Sequence, residues 1–267
     1  LIIGEGTREA YNKLINNFKT LNLANDKDYL KIKQLIDVEN FIDYSIAELY
    51  FDNNDWPHNN LKLWKPQNGG KWKWILFDVE NGFDFFHRGT HNNNTLNQVL
   101  AAKTEYSIML RSLLANKEFA AQFLQTYTCR LETTYHPDRV IHIIDSLKAK
   151  IEPEIERHID KWGGTRVEWL DFLGASFNSK EEWNNNINVL KNFAQQRPPA
   201  VLSHLTQIFH TPELINLSVK SSAGGGIIVS NVKCKNGFDG KIFKLVPITI
   251  KASPSEGYKF MKWEGLS

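Results

Sequence analysis

Apolar side chains recur at three- and four-residue intervals along the first part of the chain, the mark of helices with one buried stripe. Tyr11, Leu14, Ile15 and Phe18 form such a stripe, and Thr7 stands where an N-cap belongs. A second short helix is expected near Asp28 to Leu35, with Tyr29, Ile32 and Leu35 on one side. Asp37 then caps a third helix, in which Phe41, Ile42, Tyr44, Ile46, Leu49 and Tyr50 crowd an apolar surface. The period changes to two at Leu61, Leu63, Trp72, Trp74 and Leu76, on either side of Gly69-Gly70. That spacing predicts a hairpin of Leu61 to Lys65 with Lys71 to Phe77, one face buried. Lys62, Lys65, Lys71 and Lys73 would line the other face, either solvated or offering an ammonium to phosphate.

From Leu96 to Phe209 the pattern returns to helix, in runs at Ser107 to Leu114, Lys117 to Leu131, Pro137 to Lys150 and Ile151 to Trp162. Asn116, His136-Pro137 and Gly163-Gly164 separate them. Ser179 with Glu182 is a capping box opening a helix through Trp183, Ile187, Leu190 and Phe193. Pro198-Pro199 should interrupt it, with a last helix continuing to Phe209. Composition shifts at His210-Thr211-Pro212, after which Leu214 to Val219, Gly226 to Val232, Lys244 to Ala252 and Tyr258 to Trp263 read as strands. The expected class is therefore α+β: a mainly helical domain over residues 1–210 carrying a β-hairpin, then a small all-β module over residues 211–267.

Composition narrows the function classes. With 42% hydrophobic residues, eight Trp and sixteen Phe, the 267-residue chain can bury a sizeable core. A net charge of +2 builds no global field for nucleic acid or a membrane surface. No apolar run approaches the roughly 20 residues of a membrane span. Cys129 and Cys234 fall on either side of the expected domain boundary, without metal-ligand spacing, and Cys129 reads as a buried structural thiol. The opening Leu1-Ile2-Ile3-Gly4 carries no signal sequence and reads as the middle of something longer, from which a targeting signal would be missing.

Candidate chemistry gathers between Asn53 and Phe86, where the polar run Asn53 to Asn60 precedes the hairpin and Asp78-Val79-Glu80-Asn81-Gly82 follows it. A hairpin there brings Asp55 and Asp78 to one end. Two carboxylates with the Asn60 carboxamide make the oxygen-rich set a hard cation such as Mg²⁺ favours, phosphate oxygens completing the octahedron. Asn60 follows Asp55 by five positions, the interval between catalytic Asp and metal-binding Asn in a kinase catalytic loop, and Asp78 follows a hairpin as the DFG aspartate does. The His-Arg-Asp entry is replaced by Asn53-Asn54-Asp55, and Asp-Phe-Gly by Asp78-Val79-Glu80, so the motifs are not those of an ordinary protein kinase. The segment from Asn81 to Thr95 occupies the place of an activation loop. In it His87 and His91 lack the third soft ligand zinc would need, and Arg88 suits either a phosphate or plain solvent exposure. His142, His158 and His204 are scattered and suggest no site.

At Asn-x-Asp-Trp-Pro-x-Asn-Asn (Asn53 to Asn60) and Lys-Trp-x-Trp-Ile-Leu-x-Asp (Lys71 to Asp78) the chain resembles the spore-coat CotH family of atypical kinases, more loosely onward to about Phe209. The resemblance implies a divergent kinase fold, transfer of phosphate from ATP to a protein hydroxyl with Mg²⁺ or Mn²⁺, and a secreted or cell-surface bacterial protein. It makes Asp55 the catalytic-loop aspartate, Asn60 a metal ligand, Asp78 the principal metal-binding aspartate, and Glu80 a cofactor-side residue where an aspartate is more usual. It also implies a glycine-rich loop and a strand lysine, which would precede Leu1. Ile248 to Phe260 resembles bacterial surface β repeats related to the divergent internalin B repeat, which serve as spacers or adhesion modules. Two alternatives stand beside phosphoryl transfer: a catalytically inactive surface scaffold binding glycan or protein, and a hydrolase pairing Asp55 with Glu80.

Overall fold

The computed structural model describes residue 4 and residues 7–163, 177–211 and 213–265. Leu1 to Ile3, Gly164 and Pro212 lie outside them. The class is α+β, helices forming a body to which small antiparallel sheets attach.

Helices α1 (Glu9–Thr20), α2 (Asp26–Leu35) and α3 (Val38–Phe51) bury the stripes their spacing predicts. Asn25 and Asp37 cap α2 and α3 by accepting from the backbone N–H of Lys27 and Asn40, whereas α1 begins after Arg8 with no side-chain cap, not at Thr7. α3 is the hub, burying ten of its 14 residues, among them Phe41, Ile42, Ile46 and Tyr50 with no measurable exposure. A helix apolar on nearly every side must be surrounded.

The hairpin forms, but briefly. β1 (Lys62–Trp64) and β2 (Lys73–Ile75) pair in register Leu63↔Trp74. Trp74 is buried and Leu63 and Trp72 half-buried, yet Leu76 is 42% exposed, because pairing ends at Ile75 and the alternation has nothing to act on beyond it. β2 is clipped to α3: Asn40 donates to the Trp74 carbonyl at 3.2 Å and accepts from its N–H at 2.6 Å. Lys73 Nζ lies 3.3 Å from Asp37 Oδ2, so this lysine serves the clip.

Beyond a 3-10 turn at Thr90–Asn92 come α4 (Thr95–Ala101), α5 (Glu105–Leu114), α6 (Lys117–Leu131), α7 (Pro137–Ile151) and α8 (Ile155–Trp162). α9 (Lys180–Phe209) starts at the Ser179 cap, whose hydroxyl accepts from Glu182 N at 3.0 Å. It runs through Pro198 and Pro199 without a break, against expectation. The prolines forfeit two N–H bonds, but Phe193, Ala194, Arg197, Pro198, Val201 and Leu205 bury one continuous face, and that packing outweighs the local loss.

The C-terminal part forms two sheets. β3 (Leu214–Val219) pairs with β6 (Phe238–Phe243), and β4 (Gly225–Val229) lies between β5 (Val232–Cys234) and β7 (Ile250–Pro254). Three strand expectations fail here, among them Lys244 to Ala252, which is turn and irregular chain up to Thr249 and strand only from Ile250. Gly226 to Val232 contains a turn at Ser230-Asn231, and Tyr258 to Trp263 is irregular, with Tyr258 and Met261 well exposed. The sheets sit on α6, where buried Gln125 accepts from Phe243 N and donates to the Phe243 and Val246 carbonyls. Cys129 and Cys234, on separate elements, meet in one apolar cluster with Ile227, Val229, Val232, Phe238 and Ile242. Both thiols are free, and burial pushes that of Cys129 up to about 12, which makes it unreactive. Among the described residues no helix is long and apolar enough to cross a membrane.

Candidate active site

The site is built on the C-terminal end of α3. A helix leaves its last four carbonyls without intrahelical partners; here the cap residue meets the first and distant groups meet the other three. Glu48 O accepts from the Asp52 N–H, Leu49 O and Tyr50 O from the Arg197 guanidinium at 2.7 and 3.0 Å, and Phe51 O from Phe83 N at 2.8 Å. The last of these ties the loop after β2 directly to the helix end. Gly82 allows that approach, since a Cβ there would lie 2.8 Å from Phe51 O.

Arg197 is 1% exposed and also donates to the carbonyls of His91 and Asn93 and to Thr95 Oγ1. Asp52 turns the chain out of α3 in a left-handed conformation (φ 54°), accepts from Asn93 Nδ2 and Thr95 Oγ1, and lies 4.0 Å from Arg197. Asp84, also buried, accepts from the N–H groups of Arg88, Gly89 and Thr90. Arg197 and Asp84 together shape the segment after Asp78. His87 and Arg88 in it face solvent, Arg88 lying over the Phe86 ring at 4.9 Å.

On this base the two acidic loops meet. Asn81 Nδ2 donates to Asp55 Oδ2 at 2.8 Å, and Asn54 Nδ2 to Asn81 O at 2.9 Å. From the other side, Asn60 Nδ2 donates to Asp78 O at 3.2 Å, and the buried Asn53 Nδ2 lies 3.3 Å from the same oxygen while its Oδ1 accepts from Asp55 N. Asn60 and Asp78 both take left-handed backbone (φ 55° and 58°), which asparagine and aspartate enter at the least cost among residues with a Cβ. Asp55 and Asn60 are half-buried; Asp78 and Glu80 are exposed. Their carboxylates form no salt bridge to a described residue.

Side-chain oxygens are left uncommitted at these loops. Asn60 spends its amide nitrogen on Asp78 O and keeps Oδ1; Asp55 has Oδ2 held by Asn81 and keeps Oδ1. Among the described residues no group of three or more His, Cys, Asp or Glu is arranged to hold a metal ion, so a cation here would rest on two carboxylates, a carboxamide and ligands from outside the chain. Beneath the loops Glu48 is fully buried, and burial pushes its carboxyl up to about 7.

Sequence reasoning named Asp55, Asn60, Asp78 and Glu80. It missed Glu48, Asp52, Asn53 as a bridge, Asn81, Asp84 and Arg197. A carboxylate within a mostly apolar helix stripe was a signal for Glu48, and an arginine on the buried face of a helix for Arg197. For Asn81 no local signal separated it from the other asparagines.

No curated protein and no solved structure matches the chain. The sequence pattern of the family described as CotH kinase protein matches residues 2–201, well over half of the chain, and stops within α9, before β3. The loops carrying Asp55 and Asp78, with α3 and Arg197 that support them, lie inside that span, and the chain belongs to the CotH kinase protein family.

Proposed function

We propose that this chain carries a phosphoryl-transfer site, moving phosphate from ATP to a protein hydroxyl with Mg²⁺ or Mn²⁺ at the acidic loops. The observation that supports it best is the meeting of the Asp55 and Asp78 loops, remote in sequence and tied by Asn81, Asn60 and Asn53. Asp55, with one oxygen held by Asn81, would use Oδ1 to orient the acceptor hydroxyl and take up its proton as the hydroxyl attacks phosphorus. Asp78 and Asn60 would hold the divalent cation, which supplies neutralisation of phosphate charge when bound. Glu80, exposed beside them, would sit on the nucleotide side. The rest of the rate enhancement would come from position, since little covalent chemistry falls to the protein.

In this reading residues 1–210 form the kinase-like domain and residues 211–267 a surface-type β module, and the protein works outside the cell or at its surface. The test is Mg²⁺-dependent ATP binding and transfer of labelled phosphate to a protein acceptor, with Asp78→Ala and Asp55→Ala as controls. Loss of both activities in Asp78→Ala, and of transfer alone in Asp55→Ala, is expected. Transfer that survives Asp78→Ala overturns the assignment.

A further inference from the structure

We propose that Glu48 is the positioning residue of this site, the buried anchor that sets the spacing of the Asp55 and Asp78 loops through Asn53. Its bearing on activity rests on the phosphoryl-transfer reading; its bearing on loop geometry does not.

Three contacts converge on one carboxamide that is 2% exposed. Asn53 Nδ2 donates to Glu48 Oε2 at 3.0 Å and lies 3.3 Å from the Asp78 carbonyl, while Asn53 Oδ1 accepts from the Asp55 N–H at 3.3 Å. Asn53 therefore touches the backbone of both aspartates, and the direction of its amide matters: reversed, it would set oxygen against the Asp78 carbonyl and N–H against the Asp55 N–H. The Glu48 oxygen facing Asn53 accepts whether the carboxyl is ionised or protonated, so it holds the amide in the bridging sense across the neutral pH range. The reach from helix to site is short and rigid, because Glu48 lies in the last turn of α3 with no exposure.

A second observation marks Glu48 as more than packing. Its Oε1, the Tyr44 hydroxyl and the Trp56 indole N–H are all buried, and the Tyr44 hydroxyl bears on both Glu48 and Trp56. The Tyr44 and Trp56 rings lie 6.2 Å apart, edge to face, and Trp56 directly follows Asp55. An acceptor and two donors of matching kind are thus buried together next to the start of the Asp55 loop. A leucine would fill this volume without the cost of burying a carboxyl, so the polar group is explained by what it holds.

The experiment compares Glu48→Leu with Glu48→Gln, which retains an acceptor oxygen. Backbone amide exchange in residues 53–60 and 77–83 should speed up at least tenfold in Glu48→Leu, with α6 unchanged, and stay within threefold of the parent in Glu48→Gln. In the transfer assay kcat should fall at least tenfold in Glu48→Leu, KM for ATP should change less than threefold, and Glu48→Gln should recover most of the loss. Unchanged exchange in both loops, or exchange that rises equally in α6, overturns the proposal. If Glu48→Leu does not fold, Asn53→Ala carries the same expectation. A parent protein that neither binds Mn²⁺ nor transfers phosphate sinks the phosphoryl-transfer reading, and the exchange data still decide on the anchor.

Discussion

Replacing Arg197 by methionine should cost more stability than any other single change near the site. Methionine keeps much of the apolar stem that packs beside Phe193, whose ring centre lies 5.7 Å from the guanidinium carbon. It removes every donor. Four backbone carbonyls, those of Leu49, Tyr50, His91 and Asn93, then lose the guanidinium, as does Thr95 Oγ1, which keeps its bond to Asp52. Leu49 and Tyr50 are 1% and 0% exposed, so water cannot replace the guanidinium there without opening the core. At about 1–3 kcal/mol for each buried group left unpaired, these two alone imply about 2–6 kcal/mol. Asp52, 3% exposed, also loses the cation nearest to it, though Asn93 and Thr95 still donate to its carboxylate and soften that loss. A total of about 4 kcal/mol is a large share of the about 5–15 kcal/mol that holds a typical domain together. Urea unfolding followed by tryptophan fluorescence measures it. Arg197→Lys should lose about half as much, because an ammonium keeps the charge but cannot span the fork of contacts. A midpoint shift equivalent to less than 1 kcal/mol in Arg197→Met would refute the reasoning.

The remaining expectations follow from single contacts. Gly82→Ala sets a Cβ 2.8 Å from Phe51 O and 3.0 Å from Phe51 Cβ, so the Phe83 bond to α3 should loosen, with a loss of about 1–3 kcal/mol; an unchanged melting temperature would count against it. Gln125→Leu strands the Phe243 N–H and two carbonyls between α6 and the β strands. Limited proteolysis should then cut near residue 210 much faster, and a cleavage rate equal to the parent's would show that the contact is idle. Glu48 has its carboxyl raised from 4.5 to about 7 by burial, so the folded state holds the proton more tightly than the unfolded one. Its contribution is therefore fully present below about 4.5 and is lost as pH rises through about 7, at most about 3 kcal/mol. The difference in unfolding free energy between the parent and Glu48→Gln should fall by that order between pH 4.5 and 8, and a flat difference would rule it out.

Much of the fold was legible because its causes are local. The α3 stripe, the Asp37 and Ser179 caps, the boundaries of α6 and the hairpin at Gly69-Gly70 each follow from a period or a cap acting over a few residues. Where local rules met tertiary packing they failed in one direction. Pro198-Pro199 forbids a helix on propensity, yet the buried face from Phe193 to Leu205 carries α9 through. Tyr258 to Trp263 alternates like a strand but has no neighbour to pair with, and stays irregular.

The amino-acid order alone determined that the chain is helical with β appendages, and that Asp55, Asn60 and Asp78 flank a hairpin that doubles the chain back on itself. Only the tertiary structure decided how these residues are held. Arg197 reaches the end of α3 from nearly 150 positions away, Asn81 and Asn53 lock the two loops together, and Cys129 and Cys234 share one cluster across an expected boundary. A period of 3.6 or 2 tells which side of an element faces inward. It carries no information about which distant donor will meet an orphaned carbonyl, because that pairing is chosen only when the elements pack and every buried polar group must find a partner.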